Sequence, residues 1–353
     1  MDSAAMKTTL KSCGMAAVLA AVLAVPAHAD MMIRDGQVVE SSGAPFVMRG
    51  INHAHLWFPN RTERALKDIA ATGANTVRIV LGNGVRWNRT SERTVRQLIA
   101  RSKAAGMIAV LEVHDTTGYG QTGDGAPKDA ATIAQATDYW IGIKDALIGQ
   151  EDYVILNIAN EPSGNGVAEA YWVDDHKAAI VRLRAAGVKN VIMVDGPNWG
   201  QDGSQTMLRR AREVFEADPL RNTMFSVHMY QVYNSDAVIR AYIDGFRSQG
   251  LTLVVGEFGP DHEGDPVDEA TIFDLTNQHG IGYLGWSWSG NGPKARNLDM
   301  TVKFNARHLT PWGERIIYGD GGIKATSKPA AIFVQAAETP PARNIFSRWF
   351  GAE

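Results

Sequence analysis

Eight short apolar runs, each followed by a stretch with helical periodicity, recur along this chain at intervals of about thirty to forty-five residues. The runs are Phe46–Ile51, Asn75–Leu81, Met107–His114, Tyr153–Asn160, Asn190–Asp195, Thr223–Tyr230, Thr252–Glu257 and Gly282–Trp288. They are nearly continuous in apolar residues instead of alternating, as expected of parallel strands covered on both faces. Helices are predicted over Arg61–Thr72, Ser91–Ala105, Ala131–Ile148, Val167–Ala186, Ser204–Ala217, Ser235–Gln249 and Val267–His279. Gly73, Gly106, Gly187, Gly250 and Gly280 follow five of them, where a left-handed residue ends a helix. Strand and helix in strict alternation, eight times over, specify an α/β protein of the (β/α)8 TIM-barrel type.

The ends of the chain lie outside this repeat. Lys7 and Lys11 precede an apolar stretch from Met15 to Val25, and Ala27-His28-Ala29 has the small-residue pattern of a signal-peptidase site. That stretch is too short to span a bilayer, which takes ~20 apolar residues. Residues 1–29 are therefore read as a signal peptide cut after Ala29, and the mature protein as secreted or periplasmic, with no membrane contact. Residues 30–337 are assigned to the barrel and 338–353 to a C-terminal tail. Ile33-Arg34-Asp35-Gly36-Gln37-Val38-Val39 reads as a hairpin that plugs the barrel bottom, and a last helix is expected near Ser327–Ala336. The only cysteine, Cys13, falls in the signal, which excludes disulfides, thiol nucleophiles and Cys-ligated zinc from the mature chain. A net charge of −3, evenly spread, gives no basis for nucleic-acid binding. A monomer is expected.

In a TIM barrel the C-terminal strand ends converge on one pit. Read in order, these ends carry Asn52, His53 and His55, then Arg78, His114 and Asp115, Asn160 and Glu161, Asn198 and Trp199, His228 and Tyr230, Glu257, and finally Trp286 and Trp288. Two of them, Glu161 and Glu257, close apolar runs and are followed at once by Pro162 and by Phe258-Gly259. A pair of carboxyls is the minimum equipment for cleaving a glycosidic bond. The nine tryptophans, several in Gly/Asn-rich loops, fit flat sugar rings stacked on aromatic faces. Arg78 inside an apolar strand requires a carboxylate partner, because an unpaired buried guanidinium is very costly.

These strand ends resemble those of the bacterial β-mannanases of glycoside hydrolase family 5. The resemblance is carried by Met48-Arg49-Gly50-Ile51-Asn52-His53-Ala54-His55, Gly73-Ala74-Asn75-Thr76-Val77-Arg78, Leu111-Glu112-Val113-His114-Asp115 and Asn157-Ile158-Ala159-Asn160-Glu161-Pro162. It continues through His228-Met229-Tyr230, Val255-Gly256-Glu257-Phe258-Gly259 and Trp286-Ser287-Trp288-Ser289-Gly290-Asn291-Gly292. It implies a secreted endo-β-1,4-mannanase that acts on a mannan-class polysaccharide with retention of configuration and without a cofactor. Glu161 is implied as acid/base and Glu257 as nucleophile, supported by Arg78, His114, Asn160, His228, Tyr230 and Trp286. Arg78 and the Tyr230 hydroxyl would hold the charge of Glu257, and His228 would orient Glu161. Asn160 would bind the 2-OH of the sugar being cleaved, and Trp286 would form its floor. His53, Trp57, Trp87, Trp199 and Trp288 are expected to bind substrate around the cleavage point, with Tyr119 nearby.

Other readings weigh less. His53 and His55 face the same way but lack a third metal ligand, and no His-Glu-x-x-His helix exists, so no metal site is assigned. The acidic stretch Asp261–Asp268 offers oxygen ligands without a motif that fixes a cation. Gly118-Tyr119-Gly120-Gln121-Thr122-Gly123 matches a dinucleotide fingerprint formally, but Asp124-Gly125-Ala126-Pro127 follows where a helix is required, so it is read as a flexible loop over the site. An endo-β-1,4-glucanase on the same scaffold, a noncatalytic mannan-binding protein, and an enzyme that transfers to sugar in preference to water are the rival outcomes.

Overall fold

A computed structural model describes residues 30–338 apart from 124–125. The signal-peptide reading, the tail and its aromatic residues Phe346, Trp349 and Phe350 lie outside the described residues.

Eight parallel strands close into a barrel in the order eight-one-two-three-four-five-six-seven. They are Arg49–His53, Thr76–Leu81, Ile108–Val113, Val154–Asn157, Ile192–Asp195, Thr223–Met229, Leu253–Phe258 and Gly282–Gly285. Seven helices alternate with them: Thr62–Ala71, Glu92–Ala104, Ile133–Gly142, Glu169–Ala185, Thr206–Ala217, Asp236–Ser248 and Glu269–His279. The five glycines that follow helices all have positive φ, from 63° to 93°. The (β/α)8 expectation is met, with shifts at particular ends. The first strand begins at Arg49 instead of Phe46, because Phe46 and Met48 pack into the barrel floor. The eighth strand stops at Gly285, so Trp286 and Trp288 belong to the loop after it.

The barrel interior is layered, as is usual for this fold. Its lower layer is apolar: Met48, Ile108, Val110, Ile155, Met193, Met224, Val254 and Leu284. The hairpin Met32–Arg34 with Gln37–Val39 seals this end, Met31 and Val38 packing into the same cluster, as expected of a plug. Ile332 and Phe333 of the last helix, Ala331–Glu338, pack against it too. One layer higher the inward side chains turn polar: Asn52, Arg78, Glu112, Asn157, Asp195 and Ser226, all fully buried. The outward residues of the same strands pack with the helices in a second core.

The stretch after the eighth strand is more ordered than its composition suggests. It holds a ribbon, Thr301–Val302 with Asn305–Leu309, and a helix, Pro311–Tyr318. That helix opens with Thr310 as N-cap, its hydroxyl accepting from the Gly313 N–H at 3.1 Å, and with Pro in its first turn. Thr-Pro is a readable helix start that the Gly/Asn content around it obscures.

Candidate active site

Arg78 organises the centre of the barrel. Its guanidinium is fully buried, and each of its five N–H groups has an acceptor. Nε donates to Asn157 Oδ1 at 2.9 Å; Nη1 donates to Asn52 Oδ1 at 3.0 Å and Glu257 Oε1 at 2.7 Å. Nη2 donates to Asn160 Oδ1 at 2.7 Å and Asp195 Oδ2 at 3.1 Å. Burial works against the charged form, but Glu112, Asp195 and Glu257 outweigh it and hold Arg78 above its ordinary pKa. The carboxylate partner that the sequence demanded is thus a set of three.

Glu257 reaches this centre only because its strand is irregular. Val254 faces the barrel interior and Val255 the helices, so strict alternation would turn Glu257 outward. A register shift between Val227 and His228 pairs Val227 with Val255 but His228 with Glu257. Such a bulge re-aims side chains. Glu257 then points inward, and Phe258 packs outward on Phe273 and Trp312. Both carboxyl oxygens of Glu257 are engaged, Oε1 by Arg78 and Oε2 by the Tyr230 hydroxyl at 2.9 Å.

Glu161 closes the opposite wall. Its backbone has φ 41°, an uncommon conformation for a side chain this size, and its N–H is held by Asp195 Oδ2 at 3.3 Å. His228 Nδ1 lies 2.9 Å from Glu161 Oε1 and 3.6 Å from Glu257 Oε2, and Nε2 lies 3.2 Å from Asp195 Oδ2 at an oblique angle. Burial disfavours the imidazolium, yet Glu257 and Asp195 outweigh it and push His228 up to about 10. Burial raises Glu161 above the usual carboxyl range; His228 opposes that shift and Glu257 adds to it. A carboxyl oxygen of Glu161, one of Glu257 and a ring nitrogen of His228 all lie within 4.8 Å of one another.

The rest of the pit is aromatic. His114 donates its Nδ1–H to Glu112 Oε1 at 2.9 Å and stacks on Trp286, with ring centres 5.7 Å apart and planes 21° apart. Trp57 meets His114 edge-on at 5.1 Å and Trp87 at 5.3 Å, so Trp87, Trp57, His114 and Trp286 form one continuous wall. Asp115 is fully buried and builds the loop that carries Trp87, accepting from the N–H groups of Asn83, Val85, Arg86 and Trp87. Trp286 donates its indole N–H to Asn291 Oδ1 at 2.8 Å, which accounts for the asparagine of the Trp-Ser-Trp-Ser-Gly-Asn-Gly run. On the far side of Glu161 a cavity of about 560 Å³ is lined by Trp199, Tyr230, Gln201, Asn165 and His262. Two glycines make room here. A Cβ on Gly118 would come within 2.4 Å of the Trp199 ring, and one on Gly200 within 2.5 Å of the His228 ring.

Two expected site residues are elsewhere. His53 is fully buried and faces the first helix, bonding Thr62 Oγ1 at 2.9 Å, a hydroxyl that His55 Nδ1 also meets at 2.7 Å. Desolvation pushes His53 down to about 3, and its ring is turned to the first helix, away from the pit. The reason is parity: Asn52 points into the barrel, so its neighbour must point out. Trp288 is fully buried as well, its backbone N–H bonding Asn52 O at 2.9 Å, and cannot be a platform. The loop from Gly118 is tied down at its start, with Gly118 N–H donating to Glu161 O at 2.9 Å and Gln121 Oε1 accepting from the Asn165 N–H and the Trp199 indole. In the acidic stretch, Asp261 and Asp268 accept from the N–H groups of Gly264 and Thr271. Sequence reasoning missed Asn52, Glu112, Asn157 and Asp195 as partners of Arg78. Their signal was available, since each shares the inward parity of Arg78 in an otherwise apolar strand.

Residues 39–292 match the family model described as cellulase, glycosyl hydrolase family 5. The chain is 50% identical over 320 residues to a mannan endo-1,4-beta-mannosidase of Cellvibrio japonicus, covering 91% of this chain and 73% of that one. It is 52% identical over 302 residues to the mannan endo-1,4-beta-mannosidase of Streptomyces lividans, covering 85% and 77%. Among solved structures, the mannotriose complex of Thermomonospora fusca β-mannanase superposes with a TM-score of 0.82 at 47% identity, covering 86% of this chain and 99% of that one. With its barrel, its strand-end carboxyls and these relatives in agreement, the chain belongs to glycosyl hydrolase family 5.

Proposed function

We propose that the protein is an endo-β-1,4-mannanase that hydrolyses internal bonds of mannan-class polysaccharides with retention of configuration. The observation that carries this reading is the placing of Glu161 and Glu257 across one pit with carboxyl oxygens within 4.8 Å. Carboxyls ~5–5.5 Å apart suit a covalent glycosyl-enzyme, whereas inversion needs ~6.5–9.5 Å to admit a water between them.

The two environments divide the labour. Glu257, with one oxygen on Arg78 and one on Tyr230, is the anion that attacks C1 of the sugar lying on Trp286. Glu161, whose affinity for its proton is raised by burial and by the charge of Glu257, gives that proton to the departing glycosidic oxygen. The C1–Oε bond to Glu257 forms as the C1–O bond to the leaving chain breaks. Attack consumes the charge of Glu257, so Glu161 becomes a better anion at the stage where it must act as base. Water then loses a proton to Glu161, its oxygen bonds C1, and Glu257 is released. Asn160 keeps one amide N–H for the 2-OH, since its oxygen is committed to Arg78 and the other N–H meets Thr117 Oγ1 at 2.8 Å. The aromatic wall and the Trp199-lined cavity offer room for sugars beyond the cleavage point, which suits cutting within a polymer.

Parallel reducing-sugar assays on galactomannan, glucomannan and carboxymethylcellulose, with the first-formed anomer followed by proton NMR, test the proposal. Release of β-anomeric manno-oligosaccharides supports it. Equal or greater activity on cellulose, or an α first product, overturns it. We also propose export with cleavage after Ala29 and a monomeric mature protein. N-terminal sequencing of the protein from culture medium and its sedimentation test these two points.

A further inference from the structure

Asp195 ends the fifth strand and is fully buried beneath the pit, out of reach of a bound sugar. Its carboxylate nevertheless joins three parts of the site. Oδ2 accepts from Arg78 Nη2 at 3.1 Å and from the Glu161 backbone N–H at 3.3 Å, and lies 3.2 Å from His228 Nε2. Oδ1 accepts from Asn157 Nδ2 at 2.9 Å. Asp195 therefore reaches Glu161 by two routes. One is the backbone bond, which anchors a residue held at φ 41°, a conformation that persists only where surrounding contacts over-determine it. The other is the imidazole, whose second nitrogen sits 2.9 Å from Glu161 Oε1.

We propose that Asp195 is the positioning residue of the acid/base carboxyl, fixing the Glu161 backbone directly and, through His228, the charge against which Glu161 gives up and regains its proton. The proposal rests on the reading of Glu161 as acid/base. His228 is faced by Glu161 from beyond the fourth strand, Asp195 from the fifth and Glu257 from the seventh, with Tyr230 bonding the same Glu257 oxygen and Arg78 behind Asp195. Gly200 packs closely on the ring, since an added Cβ would come within 2.5 Å of His228 Cγ and Nδ1. Among these groups the positive charge of His228 is favoured by Asp195 and Glu257, and that charge opposes the upward pull of burial on Glu161.

The test is Asp195→Asn, which keeps the shape and removes the charge. His228 then loses one of its counter-charges and deprotonates more readily. The restraint on Glu161 weakens, so its proton is held to higher pH. The expected result is a fall in kcat of at least about tenfold with KM within about twofold, because no sugar contact is lost. The alkaline limb of the kcat/KM profile moves up by about one pH unit, and the His228 imidazole resonances titrate at lower pH than in the parent. A loss of kcat with the limb and the His228 resonances unmoved overturns the proposal, as does unchanged kcat. If Asp195→Asn does not fold, His228→Gln removes the same charge and must shift the limb the same way, and a fixed limb there also overturns it. The reading of Glu161 is checked separately: Glu161→Ala acting on an aryl β-mannoside is rescued by azide if Glu161 is the acid/base, whatever Asp195 does.

Discussion

Replacing Arg78 by lysine keeps a positive charge at the centre of the barrel and removes only the fork. The guanidinium meets five acceptors, two of them carboxylates, at 2.7 to 3.1 Å. An ammonium offers three N–H groups from one atom, so at least two buried acceptors lose their donor. Each such loss costs about 1–3 kcal/mol, and more where the orphan is charged, which gives about 2–6 kcal/mol for Arg78→Lys. That is a large part of the ~5–15 kcal/mol that holds a domain folded. At on the order of 2 °C per kcal/mol, Tm should fall by about 4–12 °C. Activity should fall further than stability alone requires. Glu257 and Asn160 are both aimed by Arg78, and misplacing a reacting group by ~1 Å costs about a hundredfold. Calorimetry gives the Tm, and kcat/KM on mannohexaose, taken well below that Tm with the circular dichroism intact, gives the rate. A variant within about 1 kcal/mol of the parent and within about threefold in rate would refute the claim that the five-fold donor set, and not merely the charge, builds this site.

Glu161→Gln should lower kcat/KM on mannan by about 10²–10⁴-fold while costing little on an aryl β-mannoside whose leaving group needs no proton; equal losses on both would remove Glu161 from the acid role. Trp57→Ala should cost about two- to tenfold in kcat/KM on long oligosaccharides and leave Tm nearly unchanged, since Trp57 is 39% exposed and lies in the aromatic wall. Stability, followed by urea unfolding, should peak near pH 6.5. Desolvation pushes His53 down to about 3 and His55 and His176 down to about 4, so these buried neutral rings contribute stability that is lost as pH falls below their unfolded value. His228, raised to about 10, contributes stability that is present below its unfolded value and lost as pH rises toward 10. The acid side should be the steeper, at up to about 1.4 kcal/mol per pH unit for each ring, with Asp202, raised to about 6 by burial, partly offsetting it. His53→Asn should flatten the acid limb, and an unchanged limb would show that His53 is not held neutral.

What was legible in the sequence was whatever depends on local periodicity. Six of the seven barrel helices fall within two residues of their expected ends, since caps and apolar spacing are properties of neighbouring residues. The third stops at Gly142 instead of Ile148, where the chain passes into a short 3-10 turn, Lys144–Ala146, and the last helix begins at Ala331 instead of near Ser327. The eight strand-end residues of the central site converge because a closed barrel leaves them nowhere else to point. Strand-end position alone, however, does not decide a side chain's direction. His53 and Trp288 stand at strand ends in the sequence, yet each is fully buried and turned away from the pit. For His53 the parity of the strand already held the answer, because Arg78 and Asn52 must face inward to satisfy each other. The same rule would have found Glu112, Asn157 and Asp195.

Glu257 is the opposite case. Parity applied strictly would have sent it out among the helices beside Phe273 and Trp312, and it would have been discarded. The register shift at Val227 and His228 reverses that outcome. The local reason is spatial: Gly256 lies so close to Ser226 that an added Cβ would stand 2.1 Å from its hydroxyl oxygen and 3.4 Å from His228 Cδ2, so a side chain there must displace Ser226 or press on His228. With Gly256 taking up the extra residue, Glu257 lands opposite His228, and Phe258 returns to the outer core. The inference follows that Gly256→Ala should damage catalysis through direction before it damages folding. A methyl group pressing on Ser226 and His228 next to the bulge is expected to shift Glu257 off Arg78 and Tyr230. The mark of this would be a kcat depressed by about a hundredfold or more, the cost of misplacing a reacting group, with mannan binding retained. Loss of binding and turnover in parallel would mean that Gly256 serves packing alone.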